Sequence, residues 1–431
     1  MADVPANLRA ALIEAGHRFG TPAYLMDVAA LARAAQVVAD AFPDPWLRQY
    51  SLKANDVPAV VAQIAALGLG ANVVSGGEWS LARRAGVPNG RITLEGVGKS
   101  DTDLRNAVRA AGNGDSLRWL AIESAEESAV LAGLAKEAGL GAEGRPRLDV
   151  LLRLNPDVTP ETIAGLAVGA GSSKFGLRDA ELEAAIPAGG GPTGPLRWRG
   201  LHVHIGSQLQ ALEAWRAALR HALAVFIARR RSLPDFEVLD IGGGFPVATG
   251  DQPVPAPADF AGALRAALDD LDSADRPRTL AIEPGRFIVA RAGWIVARVL
   301  HLRAGRGPAG EPLVVIDAGM TELIRPALYG AHHEISALTS AGIPIAPDDV
   351  HEARPTLVEG PICESTDRLG QHRLPPLQRG DLVAIANAGA YASSMSSRYN
   401  GRPRAAEVLL EADGSLRLVR HRGEEEELAA P

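Results

Sequence analysis

The sequence predicts an α/β protein, a (β/α)8 barrel of the TIM type joined to a C-terminal mainly-β domain. Three observations predict it. Eight short β-prone runs recur between residues 48 and 282, with helical stretches between most of them. A polar residue stands at the end of nearly every run: Lys53, Ser75, Glu95, Glu123, Asn155, His204, Asp240 and Glu283. Beyond residue 286 helical patterning fades, and strand-like runs follow one another across turns. In a closed barrel the strand ends converge on one mouth, where active sites lie. A doubly wound open sheet is the rival, and it would string the same residues along an edge.

Taken in order, residues 7–19 read as an amphipathic helix, 22–26 as a short strand and 27–42 as an Ala-rich helix. The eight runs are 48–52, 70–74, 91–94, 119–122, 148–154, 200–205, 237–241 and 279–282. The helices between them are 59–67, 77–85, 101–111, 125–138, 211–231 and 258–271. Pro58 stands near the first turn of one, where its missing N–H costs nothing. Ser124 and Glu127 have the spacing of a capping box. The connection after the fifth run shows no clear pattern, and 188–195 is a Gly/Pro loop. Strand-like runs then appear at 293–302, 312–317, 356–358, 381–386 and 406–410, with a hairpin-like turn at 304–312. The expected division is a barrel over 27–286, a β domain over 287–422 completed by residues 1–26, and an acidic tail over 423–431.

Composition narrows the function. The chain has 431 residues, of which 47% are hydrophobic and 22% charged, as in a soluble globular protein. The net charge of −7 and the lack of a basic block speak against a nucleic-acid surface. The short cluster Arg229, Arg230 and Arg231 ends a helical run and complements its dipole. The single cysteine, Cys363, excludes an intrachain disulfide and a cysteine zinc site. No apolar run reaches the ~18 residues of a membrane span, and residues 1–20 lack the apolar centre of a signal peptide. A cytoplasmic protein is expected.

The chemistry starts at Lys53. Lysine and arginine together number 44, yet only four are lysine: Lys53, Lys99, Lys136 and Lys174. Where arginine supplies most of the charge, a lysine at a strand end invites a chemical role, because lysine can lose its proton and attack a carbonyl. A surface lysine at a loop mouth is the plain alternative. After the seventh run, Gly242, Gly243 and Gly244 free their backbone N–H groups to face an anion. After the eighth, Glu283 and Arg286 flank a Pro-Gly bend. His202 and His204 share a strand face. They could be a metal pair, as in barrel hydrolases. The other seven strand ends carry no histidine, which favours His204 stacking on a flat ring and His202 serving structure, with no metal.

An attacking lysine, an anion cradle, a carboxylate and a stacking ring are the parts of a pyridoxal 5'-phosphate site. The chain resembles the alanine-racemase-type (fold type III) pyridoxal-phosphate decarboxylases from about Pro22 to Leu410. In the barrel the resemblance rests on Tyr50-Ser51-Leu52-Lys53-Ala54-Asn55, Val74-Ser75-Gly76-Gly77-Glu78, His204-Ile205-Gly206-Ser207-Gln208, Gly242-Gly243-Gly244-Phe245 and Glu283-Pro284-Gly285-Arg286. Beyond it rests on Asp317-Ala318-Gly319-Met320, Ile324-Arg325-Pro326-Ala327-Leu328-Tyr329, Gly360-Pro361-Ile362-Cys363-Glu364-Ser365 and Gly389-Ala390-Tyr391. The resemblance implies that Lys53 carries the cofactor and His204 stacks on its ring. It implies that Ser207, Gly242, Gly243, Gly244, Arg286 and Tyr391 surround the cofactor, and that Glu283 keeps the pyridine nitrogen protonated. It gives Arg286, Arg325, Tyr329, Glu364 and Tyr391 to the substrate and makes Cys363 the proton donor. Cys363 and Glu364 would reach a second subunit's site, so a homodimer is implied. The branch that converts meso-2,6-diaminopimelate to L-lysine fits the motifs best. A sister decarboxylase of a related carboxylated amine would keep nearly all of them. A catalytically dead regulator would have no need of Lys53, Glu283 and Cys363.

Overall fold

Eight parallel strands close into a barrel in the unit Ala35–Phe287. The computed structural model describes residues 4–162, 164–250, 253–345 and 353–426. Numbering strands along the chain, β1 is Ala23–Asp27, and the barrel strands are β2 (Leu47–Ser51), β3 (Gly70–Val73), β4 (Ile92–Leu94), β5 (Trp119–Ile122), β6 (Leu148–Leu154), β7 (Leu196–Val203), β8 (Val238–Asp240) and β9 (Thr279–Ile282). Each pairs with the next, and β2 closes on β9 through Leu47 and Arg48 opposite Ala281 and Ile282. Trp119, Leu151, Val238 and Ala281, packed with Leu47, fill part of the interior from five strands.

The helices are α1 (Ala6–Arg18), α2 (Val28–Ala41), α3 (Pro58–Ala66), α4 (Gly76–Arg84), α5 (Asp101–Gly112), α6 (Ala125–Glu137), α7 (Asp179–Ala188), α8 (Glu213–Arg230) and α9 (Pro257–Asp269). Pro58 is the first residue of α3, and the Ser75 side chain caps α4 by accepting from Glu78 N–H at 3.2 Å. Ser124 Oγ likewise accepts from Glu127 N–H at 3.0 Å. The expected capping box is only half formed, because Glu127 Oε2 accepts from Glu123 N–H at 2.7 Å, one residue before the cap. A reciprocal box does form at Ser100 and Asp103.

Two expectations needed correction. The sixth barrel strand starts at Leu196, ahead of the expected residue 200. Gly200 reads as a breaker, yet it lies inside the strand because the β8 backbone passes so close that a Cβ there would collide with the Val238 carbonyl. The unreadable connection after β6 holds α7, whose pattern is masked by Pro187 in its last turn and glycines just beyond.

The second unit comprises Met1–Ala34 and Ile288–Pro431. Its strands are β10 (Gly293–Arg303), β11 (Leu313–Ile316), β12 (Ile335–Ala337), β13 (Thr339–Ser340), β14 (Ile343–Pro344), β15 (Arg354–Glu359), β16 (Arg368–Leu374), β17 (Leu382–Ile385), β18 (Ala406–Leu410) and β19 (Leu416–Arg420). A nine-stranded sheet runs β16-β15-β11-β10-β1-β18-β19, with β17 joining β10 to β12. The N-terminal strand thus lies inside a mainly C-terminal sheet, antiparallel to β10 and parallel to β18. Its alternation serves two cores. Tyr24 packs with Ile295, Ile316 and Ile385 on one face, while Ala23 and Leu25 pack with Leu12, Val296 and Val408 on the other. The Tyr24 hydroxyl donates to the Glu322 carbonyl at 2.8 Å. The tail beyond Glu426 lies outside the described residues. No described helix is long and apolar enough to cross a membrane.

Candidate active site

Lys53 sits in a short 3-10 turn, Leu52–Ala54, directly after β2. Leu52 and Ala54 on either side are buried and fix the turn to the barrel. The Tyr50 hydroxyl, itself buried, donates to the Asn55 carbonyl at 2.9 Å and closes the segment from behind. Asn55 Oδ1 accepts from Val57 N–H at 3.2 Å and hands the chain on to α3. The Lys53 charge bears on Glu78, His202 and His204. Lys99 is buried against Glu127 at 2.9 Å, and Lys174 lies over the Phe175 ring. Lys136 lies in α6.

The glycines after β8 form a tight backbone cradle. A Cβ on Gly243 would collide with the Glu283 carbonyl, and one on Gly242, at φ +66°, would come within 2.7 Å of the Val203 carbonyl. Only glycine allows this approach without displacing backbone. Gly243 N–H donates to His204 Nδ1 at 3.2 Å, which leaves the ring proton of His204 on Nε2. Burial, then the Lys53 charge, holds His204 well below its ordinary pKa, so the ring is neutral. Asp240 Oδ1 accepts from Gly242 N–H at 2.9 Å. Burial and the charges of Glu283 and Glu95 push the Asp240 carboxyl well up, which suits a neutral acid bracing the loop. Gly243→Ala should destabilise the protein by about 1–3 kcal/mol, seen as a lower melting temperature. An unchanged melting curve would show that the cradle can yield.

Glu283 follows β9 and is fixed on several sides. Its N–H donates to the Gly242 carbonyl at 2.8 Å, and its carbonyl accepts from Ser51 Oγ at 3.3 Å. Its Oε1 accepts from Asn72 Nδ2, and its Oε2 lies 3.4 Å from His202 Nε2. Arg286 is buried and directs two guanidinium nitrogens at Ser207 Oγ, at 3.2 and 3.0 Å. The barrel therefore gathers Lys53, His204, Ser207, Gly242, Gly243, Gly244, Glu283 and Arg286 around the carboxyl ends of its strands.

The remaining candidates lie in the β unit. Arg325 and Tyr329 begin and end the short helix Arg325–Tyr329, with Arg325 buried. Arg325 Nη1 lies 3.0 Å from His333 Nε2, while His333 Nδ1 lies 3.0 Å from the Ala386 carbonyl. With the His333 proton on Nδ1, Nε2 accepts from Arg325 and orients it. Cys363 is exposed, which sets it apart from the usual buried apolar cysteine. Its N–H donates to Asn400 Oδ1 at 3.1 Å, and Glu364 Oε1 accepts from the Tyr399 hydroxyl at 2.5 Å. Tyr391 takes a left-handed backbone, φ +56°, which is costly for a bulky residue.

Sequence reasoning missed Asn72, His333, Tyr399 and Asn400. Asn72 was findable, since it is the polar residue in an otherwise small and apolar strand, Gly-Ala-Asn-Val. Nothing in the sequence separates Tyr399 and Asn400 from an ordinary polar turn. Among the described residues, the cluster able to hold a metal ion is Glu95, His202 and Glu283. It does not include His204, so the two histidines do not converge as a His-x-His pair.

Comparison with known proteins bears on the family and the fold. The profile of the family described as pyridoxal-dependent decarboxylase, pyridoxal binding domain, matches residues 28–290. The diaminopimelate decarboxylase of Aquifex aeolicus is 35% identical, over 95% of this chain and 91% of its own length. That of Pseudomonas aeruginosa is 36% identical, over 97% of this chain and 94% of its own. The crystal structure of diaminopimelate decarboxylase from Helicobacter pylori complexed with L-lysine superposes with a TM-score of 0.84 at 31% identity, covering 96% of this chain and 98% of that one. The chain belongs to the pyridoxal-dependent decarboxylase family, among its diaminopimelate decarboxylases.

Proposed function

We propose that the protein decarboxylates meso-2,6-diaminopimelate to L-lysine and CO2, with pyridoxal 5'-phosphate as its cofactor. The observation that carries the reading is the convergence at the strand ends of four different chemistries. A lysine stands on a rigid turn, a neutral ring on a backbone cradle, a carboxylate in a buried socket, and a forked cation against a hydroxyl. These residues fit the cofactor. The cradle is one that a Cβ would fill, and Arg286 beside Ser207 offers charge and donors to a phosphate.

Bound there, the cofactor supplies a sink for the electron pair left when the carbon–carboxylate bond breaks. The chain does the rest. Lys53 would hold the cofactor through Nζ. His204 would pack its neutral face on the ring. Glu283 would keep a proton on the ring nitrogen. Ser207, the three glycines, Arg286 and Tyr391 would bind the phosphate end. Arg286, Arg325, Tyr329, Glu364 and Tyr391 serve substrate recognition. Cys363 Sγ delivers a proton to the carbon that has lost CO2. The resemblance supports a cytoplasmic homodimer in which Cys363 and Glu364 serve the neighbouring subunit's site.

Two experiments bear on this reading. Purified protein supplied with pyridoxal 5'-phosphate and meso-diaminopimelate should release CO2 and L-lysine in equal amounts. A protein that takes up the cofactor yet releases no CO2 from this substrate would refute the assignment. Cys363→Ala should slow turnover by ~10²–10⁴, the usual worth of general acid help, without loss of cofactor absorbance. Full-speed turnover with unchanged stereochemistry of protonation would remove Cys363 from the mechanism.

A further inference from the structure

His204 has a role in the reaction proposed above; its neighbour His202 has none. His202 lies on β7, two residues earlier and on the same face, and is 1% exposed. Its Nε2 lies 3.4 Å from Glu95 Oε2 and 3.4 Å from Glu283 Oε2. One ring nitrogen therefore faces two carboxylates from two different strand ends. Among the described residues neither His202 nitrogen has a well-formed hydrogen bond, and nor does Glu95 Oε1. These are buried polar atoms, and such atoms are costly unless they serve a neighbour. On the other side of Glu283, Asn72 Nδ2 donates to Oε1.

Charge decides how the socket is filled. Two carboxylates flanking one ring in a buried site do not both ionise. Burial and the Glu283 charge push Glu95 up to about 8, and burial pushes His202 down to about 4. The other titratable groups facing the pair are Arg153, which is paired with Glu123, together with Lys53 and the raised carboxyl of Asp240. At neutral pH the socket then holds a protonated Glu95 and a neutral imidazole. Asn72 Nδ2 donates to one Glu283 oxygen and His202 Nε2 faces the other, so Glu283 is the carboxylate held from both sides.

We infer that His202 and Glu95 are positioning residues for Glu283, which pin its carboxylate and keep it the one anion offered to the cofactor's ring nitrogen. This rests on the proposed role of Glu283. Neither residue touches the reacting atoms. His202 spans the gap to Glu283 Oε2, and Glu95 stands behind it without adding a competing charge.

The test is binding, not turnover. Full-length protein stripped of cofactor is titrated with pyridoxal 5'-phosphate and with its 1-deaza analogue, in which carbon replaces the ring nitrogen. Wild type should prefer the natural cofactor, and Glu283→Gln should abolish the preference. His202→Asn, too short to span the gap, should weaken binding of the natural cofactor by about tenfold or more, the worth of one hydrogen bond to a charged group. It should leave the analogue unaffected. His202→Gln, whose longer amide can reach across, should recover part of the loss. Glu95→Gln, a neutral isostere of the protonated acid, should bind both forms about as wild type does.

Equal weakening toward both cofactors in His202→Asn would mean that His202 only fills space, and the inference would fail alone. No weakening toward either would overturn it as well. A wild type without preference, matched by Glu283→Gln, would overturn the role of Glu283 itself and the inference with it. If His202→Asn does not fold, as judged by its melting curve, Glu95→Gln decides. Its amide carries no charge, so a large loss of natural-cofactor affinity would show that Glu95 acts as an anion, contrary to the inference.

Discussion

Lys53→Ala is expected to abolish turnover and to remove the visible absorbance of bound cofactor. Tethering and orienting a reactant is worth many orders of magnitude in effective concentration, so residual activity should fall by at least about 10⁴-fold. The expectation follows from where the four lysines lie. Lys53 stands on a turn whose neighbours are buried and whose end is closed by the Tyr50 hydroxyl. Lys99 is committed to Glu127 and the Gly96 carbonyl. Lys136 is in a helix and Lys174 lies over a phenylalanine ring. Borohydride reduction of the loaded wild type followed by peptide mapping should place the cofactor mass on the Lys53 peptide. Label on any other lysine, or cofactor retained by Lys53→Ala after reduction, would contradict the assignment.

Arg325→Ala is expected to lose most diaminopimelate activity while keeping cofactor affinity. The substrate has two amino-acid centres. One loses CO2, and the other must be held by its carboxylate and ammonium. A carboxylate calls for forked donors, and Arg325 offers one in an orientation set by His333 at 3.0 Å. The plain alternative is an ion pair with Asp317 or Glu322 that merely braces the β domain. Those carboxylates have other work. Asp317 Oδ1 accepts from Arg298 N–H at 2.7 Å, and Glu322 Oε2 accepts from Gly319 N–H at 3.0 Å and Thr321 Oγ1 at 2.9 Å. Arg325 Nη1 is thus oriented by a neutral histidine. A site built to pair polar groups can reject analogues lacking them by ~10⁴–10⁵. The mutant should therefore lose kcat/KM for diaminopimelate by a large factor while its cofactor titration matches wild type. Parallel loss of cofactor binding and of the melting transition would show that Arg325 only supports the fold.

How much of the fold and site is legible in the sequence varies with the physics involved. The barrel strands are legible because short apolar runs bounded by polar ends repeat eight times, and most helices between them carry ordinary periodicity. The helix α7 is not, because Pro187 and the following glycines mimic a loop while its buried face, Leu182 and Ala185, is short. Gly200 looks like a strand boundary, though its reason for being there is the β8 backbone alongside. Lys53, Gly242 to Gly244 and Glu283 are legible because their residue types have few alternative explanations at strand ends. Asn72 and Glu95 are harder to assign. Each gains its meaning from a partner far away in the chain, Glu283 for Asn72 and His202 for Glu95. The hydrogen bonds that fix Cys363 and Glu364 come from Asn400 and Tyr399, more than thirty residues later, and no local pattern announces them.

The most direct measurement is CO2 release by one cofactor-saturated preparation from meso-diaminopimelate, L-lysine, L-ornithine and L-arginine in parallel. The account predicts rapid release from meso-diaminopimelate alone, with the others lower in kcat/KM by ~10⁴ or more. Release from L-lysine or L-ornithine at a comparable rate would contradict it, because a site that ignores the second amino-acid centre has no use for Arg325 and Glu364 as the groups that hold that centre.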